Sequence, residues 1–287
     1  MSAVLKLVQG TTEWHEHRQT MRNASETAAV MGISPWLTPY GLWLIKTGRS
    51  TQDVTPAMAH GTQLEPQARL AYEERTGLVM NPLVMTDGDY SASLDGINLD
   101  GDLIVEIKCP FRGRQSSLWR EVEGGLVPGH YVAQIQHQLM VSGAMRAHLW
   151  VYADGEGLLL TVERDDVMMV TIQAAWDAFQ PYLESGNPPP LSDRDSAQRD
   201  DAAWIGAAMA YQEAKRQADA AEERQEAAKR ALVTLSRHPR ELGAGVSVVR
   251  LWKAGNVDYR RIPELRGVDL NRYRGQGREE VRVTVAK

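Results

Sequence analysis

The chain has 287 residues, 43% of them hydrophobic and 24% charged, with a formal net charge of −5. That is the make-up of an ordinary globular protein, with room for one large domain or a core plus an appendage. No apolar run approaches the roughly 18 residues a membrane span needs, and the opening MSAVLKLVQGTTEWHEHR lacks the apolar stretch and cleavage site of a signal peptide. Cys109 is the single cysteine. It excludes an internal disulfide framework and a four-cysteine metal site, so the expected setting is a reducing cytosol.

In chain order, NASETAAVMG places cap-type residues before a short apolar helix that Gly32 ends, and SPWLTPYGLWLIKTG gives a turn and a helix ended by Gly48. AMAHGTQLEPQARLAYEERTG predicts a longer helix closing at Gly77. Its regular turns are expected to begin near Pro66, because a proline inside a helix removes a hydrogen bond and crowds the preceding turn. Strands are expected at 78–85, 90–93 and 103–109, then a helix over GHYVAQIQHQLMVSG. Strands at AHLWVYA and GLLLTVE and a helix over DVMMVTIQAAWDAFQPYLESG follow. Helices flanking a run of strands predict an α/β unit with a mixed sheet over residues 1–186.

NPPPLSDRDSAQRD reads as a linker at 187–200. Residues 201–287 form the appendage. A long Ala/Glu/Arg-rich helix comes first, in which Trp204, Tyr211, Ala214, Ala218, Ala221, Ala228, Leu232 and Leu235 recur at three- and four-residue steps. Such a seam packs against a partner helix or against the chain's own domain. Strands around a short helix are expected to end the chain. From Val246 to Lys287, ten Lys/Arg stand against five acids, a local +5 that leaves −10 for the rest. The asymmetry suits a polyanion contact and equally a solvated surface.

LIVEIKCP, residues 103–110, has the apolar character of a buried strand yet carries Glu106 and Lys108. Buried charges are costly unless paired or bound to metal. Strand alternation places Ile104, Glu106 and Lys108 on one face, and a turn through GINLDGD can bring Asp95, expected on or just after the preceding strand in a tight Asp-Gly turn, beside Glu106. Two carboxylates brought together call for a cation, and oxygen ligands without Cys or His favour Mg²⁺ or Mn²⁺. A hard metal with an amine on the same face suits phosphodiester hydrolysis. On spacing alone, surface ion pairs explain the same residues. The histidines show no metal-ligand spacing, and the HEH at 15–17 is read as structural.

Asp95…Glu106-x-Lys108 resembles the signature of the restriction-endonuclease-like nucleases. WHEHRQTMRNASETAAVMGISPW, HGTQLEPQARLAYEERTG, SLDG, VEIKCP and YVAQIQHQLMVSG, in that order, resemble the motifs of the phage-type recombination exonucleases, the lambda exonuclease and YqaJ group. The resemblance covers roughly residues 12–185, with Leu94 standing where proline is usual. It implies a restriction-endonuclease-like core, a central mixed β-sheet flanked by helices, with a C-terminal helical and small β appendage.

The same resemblance implies Asp95, Glu106 and the backbone carbonyl of Ile107 as metal ligands, with Glu65 helping to hold a second ion. Lys108 is then the catalytic amine, and Gln134 touches the metal or nucleophile. Arg18 and Ser25 take a terminal 5′-phosphate, Ser25 also being a candidate helix cap, and Trp36 and Arg112 are counted with the DNA-binding residues. The implied function is a Mg²⁺-dependent exonuclease, with Mn²⁺ as a substitute, degrading linear duplex 5′ to 3′ to leave 3′ single strands. A ring, often trimeric, and a single-strand annealing partner are implied with it. The alternatives are a structure-specific endonuclease of the same fold and a non-catalytic DNA-binding scaffold.

Overall fold

The computed structural model describes residues 2–51, 53–252 and the isolated positions 262, 263 and 268. Most of the basic C-terminal segment, and the strands and short helix expected beyond 252, lie outside the described residues. The chain divides into two compact units, 1–196 and 197–287.

The first unit runs β1 (Ala3–Leu5), α1 (Thr12–Thr20), β2 (Arg22–Asn23), α2 (Thr27–Val30), α3 (Pro39–Lys46), α4 (Pro56–Thr76), β3 (Asn81–Asp87), β4 (Tyr90–Ile97) and β5 (Leu103–Lys108). It continues with α5 (Ser117–Glu123), α6 (Gly129–Ser142), β6 (Arg146–Ala153), β7 (Glu156–Glu163) and α7 (Asp166–Ser185). Seven strands form one sheet in the order β1-β3-β4-β5-β6-β7, with β2 pairing β4 off that path. β5 pairs β6 in parallel and β2 pairs β4 in parallel, while the other pairs are antiparallel, so the sheet is mixed. The parallel step is possible because α5 and α6 carry the chain back between β5 and β6.

β5 is covered on both faces, as its near-continuous apolar run demands. Ile104 joins one core with Leu94, Ile135, Leu139 and Leu149. Val105, Ile107 and Cys109 join another with Ala68, Tyr72 and Trp150 under α4. A third cluster, built on Leu42, Trp43, Ile172, Trp176 and Phe179, packs α3 against α7.

α4 corrects one expectation. It starts at Pro56, capped by the Thr55 side chain accepting from the Met58 amide at 3.2 Å, and runs straight through Pro66 to Thr76. An interior proline costs about 3 kcal/mol, but here the turns on both sides are anchored. A capped N1 proline starts the helix, and completely buried Ala68 and Tyr72 fix its second half. Packing overrides the local preference. Gly77 at φ +73° then ends the helix in the left-handed conformation.

The segment read as a linker is partly tied to the first unit. The Thr38 hydroxyl donates to Asp195 Oδ1 at 2.5 Å, and Arg194 donates to the Ser34 carbonyl at 2.5 Å.

In the second unit, α8 (Ala202–Leu235) is a 34-residue helix capped by Asp201, followed by a hairpin of β8 (Arg240–Gly243) and β9 (Val246–Val249). No residue of α8 is buried by the described residues. Among those residues, no helix is long and apolar enough to cross a membrane.

Candidate active site

The site grows from a short ladder between β4 and β5. Only Gly96↔Val105 and Ile97↔Ile104 pair across it. The turn beyond is closed by Asn98, whose Oδ1 accepts from the amides of Asp102 and Leu103, both at 3.1 Å. Gly96 is required by close approach rather than by a turn, since a Cβ there would lie 2.7 Å from Met80 Cβ and 2.9 Å from Val105 Cγ1. Asp95 therefore lies on the strand itself, one of the two placements expected of it, and not in a turn after it. Beyond Gly96 the ladder stops, and the amide of Ile107 donates to Asp95 Oδ2 at 2.8 Å. A carboxylate has taken the place of a backbone carbonyl, which keeps Asp95 next to the strand that carries Glu106 and Lys108.

Glu106 is 1% exposed. Its Oε1 accepts from Lys108 Nζ in a short ion pair and from Gln134 Nε2 at 2.8 Å, and its Oε2 accepts from Gln138 Nε2 at 2.6 Å. A buried carboxylate persists only when paired and hydrogen-bonded in this way. Burial works to lower the Lys108 pKa, but the Glu106 and Asp95 carboxylates outweigh it and hold the amine above its usual range. Lys108 is thus an ammonium, and its Nζ also sits 5.2 Å from the Tyr131 ring centre. Asp95 goes the other way. Burial, then the charges of Glu106 and Glu65, hold its carboxyl well above the ordinary carboxylate range, against the pull of Lys108 and the Ile107 amide.

Glu65, on α4, is half-buried and ion-paired with Arg69 at 3.3 Å. Burial raises its pKa, with Arg69 opposing and Glu106 adding to the rise. Burial and the neighbouring Glu106 charge raise both Asp95 and Glu65, so the cluster of three acids is a locus short of positive charge. Among the described residues, no three His, Cys, Asp or Glu side chains stand close enough to hold an ion by themselves. A cation bound here would take two carboxylates and complete its shell with backbone oxygen and water. That donor set, all oxygen, fits Mg²⁺ and does not suit zinc.

A second cluster forms around α1. Arg18 donates to Ser25 Oγ at 3.0 Å and to Glu26 Oε1 at 3.2 Å, with its guanidinium 4.6 Å from the Trp14 ring. Lys46, its side chain 3% exposed, pairs with Glu26 at 2.8 Å and donates to the carbonyls of Arg18 and Met21. Two cations share one carboxylate, which leaves net positive charge beside the Ser25 hydroxyl. Ser25 caps no helix through its side chain, so the capping role considered for it is not realised. His17 Nε2 meets Ser91 Oγ at 3.0 Å, docking α1 on β4.

The structure thus brings together Asp95, Glu106, Lys108, Gln134 and Glu65, and separately Arg18 with Ser25. Trp36, 70% exposed, borders the first group through edge-on contact with His130 at 4.9 Å and a tilted contact with Tyr131 at 6.0 Å. Arg112 stands apart, exposed in the turn after β5, where its carbonyl accepts from the Gln115 amide.

The sequence places Gln138 with Gln134 on one polar face of the helix, expected to meet solvent, and gives no sign of Arg69 or Lys46. Gln138 belongs to a helix face that ordinarily meets solvent, yet Gln136, His137 and Gln138 are all buried. α6 is enclosed nearly all round, so its polar stripe had no outward side. The nearest signal is the run QIQHQ itself, three amides inside an otherwise apolar helix. Arg69 donates to the Asp95 carbonyl at 2.8 Å, a link between α4 and β4 with no local signature.

Comparison with known proteins adds to this geometry. Residues 13–145 match the model of the YqaJ-like viral recombinase domain. A protein of Bacillus subtilis strain 168, described as uncharacterized protein YqaJ, is 27% identical over 194 residues, 64% of this chain; the match spans 60% of the YqaJ length. The crystal structure of an alkaline exonuclease (LHK-Exo) from Laribacter hongkongensis is 29% identical, covering 61% of this chain and 94% of that one, with a TM-score of 0.53. The structure of LHK-Exo in complex with dAMP aligns with a TM-score of 0.54 at 28% identity, covering the same shares of both chains.

Proposed function

We propose, for a chain whose residues 13–145 belong to the YqaJ-like viral recombinase domain family, a Mg²⁺-dependent exonuclease that degrades one strand of linear duplex DNA from its 5′ end. The observation that carries this reading is the meeting of Asp95, Glu106 and Lys108 where β4 and β5 part. The exonuclease named among the structural relatives supports it.

Asp95, Glu106 and the carbonyl of Ile107 would hold the ion, with Glu65 at hand for a second. When bound, Mg²⁺ polarises a phosphate and lowers the pKa of a coordinated water. The residues do the rest. Gln134 and Gln138 hold the Glu106 carboxylate in one orientation, so that its oxygens need not reorganise during reaction. Lys108 remains protonated while it stays beside the carboxylates, so it serves as a hydrogen-bond donor to the phosphate and to the charge that develops on it, not as a base. Arg18, pre-oriented over Trp14, and Ser25 form the receptor for a terminal 5′-phosphate, with the guanidinium fork matched to its oxygens. A single-strand annealing protein as partner and a closed oligomer around the duplex belong to the same reading.

Linear duplexes bearing a 5′-phosphate or a 5′-hydroxyl, and closed circular DNA, are incubated with Mg²⁺ or with a chelator. The proposal expects mononucleotides from the phosphorylated linear duplex with Mg²⁺ alone and an intact circle. Cleavage of the circle would move the assignment to an endonuclease. Linear DNA left whole over a broad range of conditions would end it.

A further inference from the structure

Arg18 is held in place before any phosphate reaches it. Its hydrogen bonds to Ser25 Oγ at 3.0 Å and to Glu26 Oε1 at 3.2 Å both use Nη2. The guanidinium lies over the Trp14 ring, 4.6 Å from its centre. Among the described residues, Nε and Nη1 donate to no acceptor, so the rest of the fork stays open.

Glu26 is itself anchored. Its Oε2 accepts from Lys46 Nζ at 2.8 Å and from Asn23 Nδ2 at 2.9 Å, and only 13% of its side chain is exposed. The same two donors reach the carbonyls of Arg18 and Met21, Lys46 at 2.8 and 2.6 Å, Asn23 at 2.7 and 3.1 Å. Lys46 thereby uses all three of its N–H groups. It stands at the end of α3, and Asn23 lies in β2. One carboxylate therefore fixes the Arg18 side chain, and its partners pin the end of α1 that carries it.

We propose that Glu26 and Lys46 are positioning residues: their buried pair aims the Arg18 fork and so sets the preference for DNA ends bearing a 5′-phosphate. This rests on Arg18 and Ser25 being the receptor for that phosphate. The opposite role for Glu26 is a rival anion that the phosphate must displace, and the bonding argues against it. The carboxylate cannot swing away without stranding the Lys46 ammonium, whose side chain is 3% exposed. It also engages a single nitrogen of the fork. Charge agrees, since two cations and one carboxylate leave a net positive charge for the incoming anion. An arginine loose at the surface gives up rotamer freedom when it grips a phosphate. Holding it ready in advance is worth about 2- to 12-fold in affinity.

Fluorescence anisotropy in chelator, where no metal supports cleavage, compares short duplexes ending in 5′-phosphate or 5′-hydroxyl on the full chain. The parent is expected to bind the phosphorylated end more tightly, and Arg18→Ala to lose that preference. Glu26→Gln keeps the shape and removes the charge, and is expected to cut the ratio of the two affinities by about 2- to 12-fold. Because that variant strands the Lys46 ammonium, Glu26→Gln combined with Lys46→Met removes both partners, and its ratio is expected to fall alike. Weaker binding to both ends at an unchanged ratio would leave the pair a purely structural role and overturn the proposal. A ratio that rises in Glu26→Gln would make Glu26 a competitor and overturn it too. A parent without preference, or a preference that survives in Arg18→Ala, would strike the phosphate receptor itself, and the proposal with it.

Discussion

The carboxylate of Asp95 accepts the Ile107 amide at 2.8 Å, joining two strands at the point where their ladder ends. One residue therefore has two tasks that pull apart. As a hydrogen-bond acceptor Asp95 holds β5 in place; as a charge it crowds Glu106 and Glu65.

Asp95→Asn separates those tasks. The amide oxygen can still accept from Ile107, while the crowded charge is gone. Because the folded pKa of Asp95 lies above its unfolded value, its ionisation opposes folding at neutral pH. The metal-free variant is expected to melt higher than the parent, by roughly 2–4 °C for each kcal/mol relieved. Cleavage should fall at least about a hundredfold. Mg²⁺ should raise the melting temperature of the parent and not of the variant, since a ligand stabilises only the state that binds it. Thermal melts with and without Mg²⁺ check the first and third outcomes, and a timed digest of linear duplex checks the second.

Gln134 and Gln138 both donate to Glu106, but from different depths. Gln138 is 1% exposed, so Gln138→Ala leaves a cavity and a less satisfied buried carboxylate. It is expected to cost about 2–3 kcal/mol in urea denaturation. Gln134 is half-buried, and Gln134→Ala should cost under about 1 kcal/mol while lowering the cleavage rate. An equal loss of stability in the two variants would show that the depths are not what separates them.

His137 is completely enclosed, with Nδ1 2.6 Å from the Thr27 hydroxyl and its ring edge-on to Tyr90 and Trp176. Burial pushes its pKa down to about 3. A lowered histidine pKa means that the unfolded chain takes up the proton first. Stability is therefore whole above about 6.5, declines as pH falls below it and levels off near 3. Between pH 7 and pH 5 the expected loss from this group is about 2 kcal/mol. Denaturation midpoints across that range should fall less steeply in His137→Gln than in the parent.

Gly157 on β7 lies against the indole of Trp150, and an added methyl would fall within that ring. Trp150 has no room to yield, being 2% exposed and donating to the Ala68 carbonyl at 2.9 Å. Gly157→Ala is expected to destabilise by about 1–3 kcal/mol, read as a lower melting temperature. Gly61→Ala, in an open position of α4, should not.

Much of this protein is written locally. Gly77, Gly143 and Gly186 end their helices at positive φ, where composition and periodicity alone place the stops. Glu106 and Lys108 share a face because strand side chains alternate, and five motifs in order carry the resemblance to the phage-type recombination exonucleases before any coordinate is known. Other features depend on which distant segments meet. The sequence cannot say that β4 and β5 keep only two ladder pairs or that Arg69 reaches the Asp95 carbonyl from α4. Pro66 runs inside a helix, and Gln138 faces inward, because α6 is surrounded. Propensity and patterning act over a few residues, whereas burial and charge pairing are settled only when elements far apart in the chain are packed together.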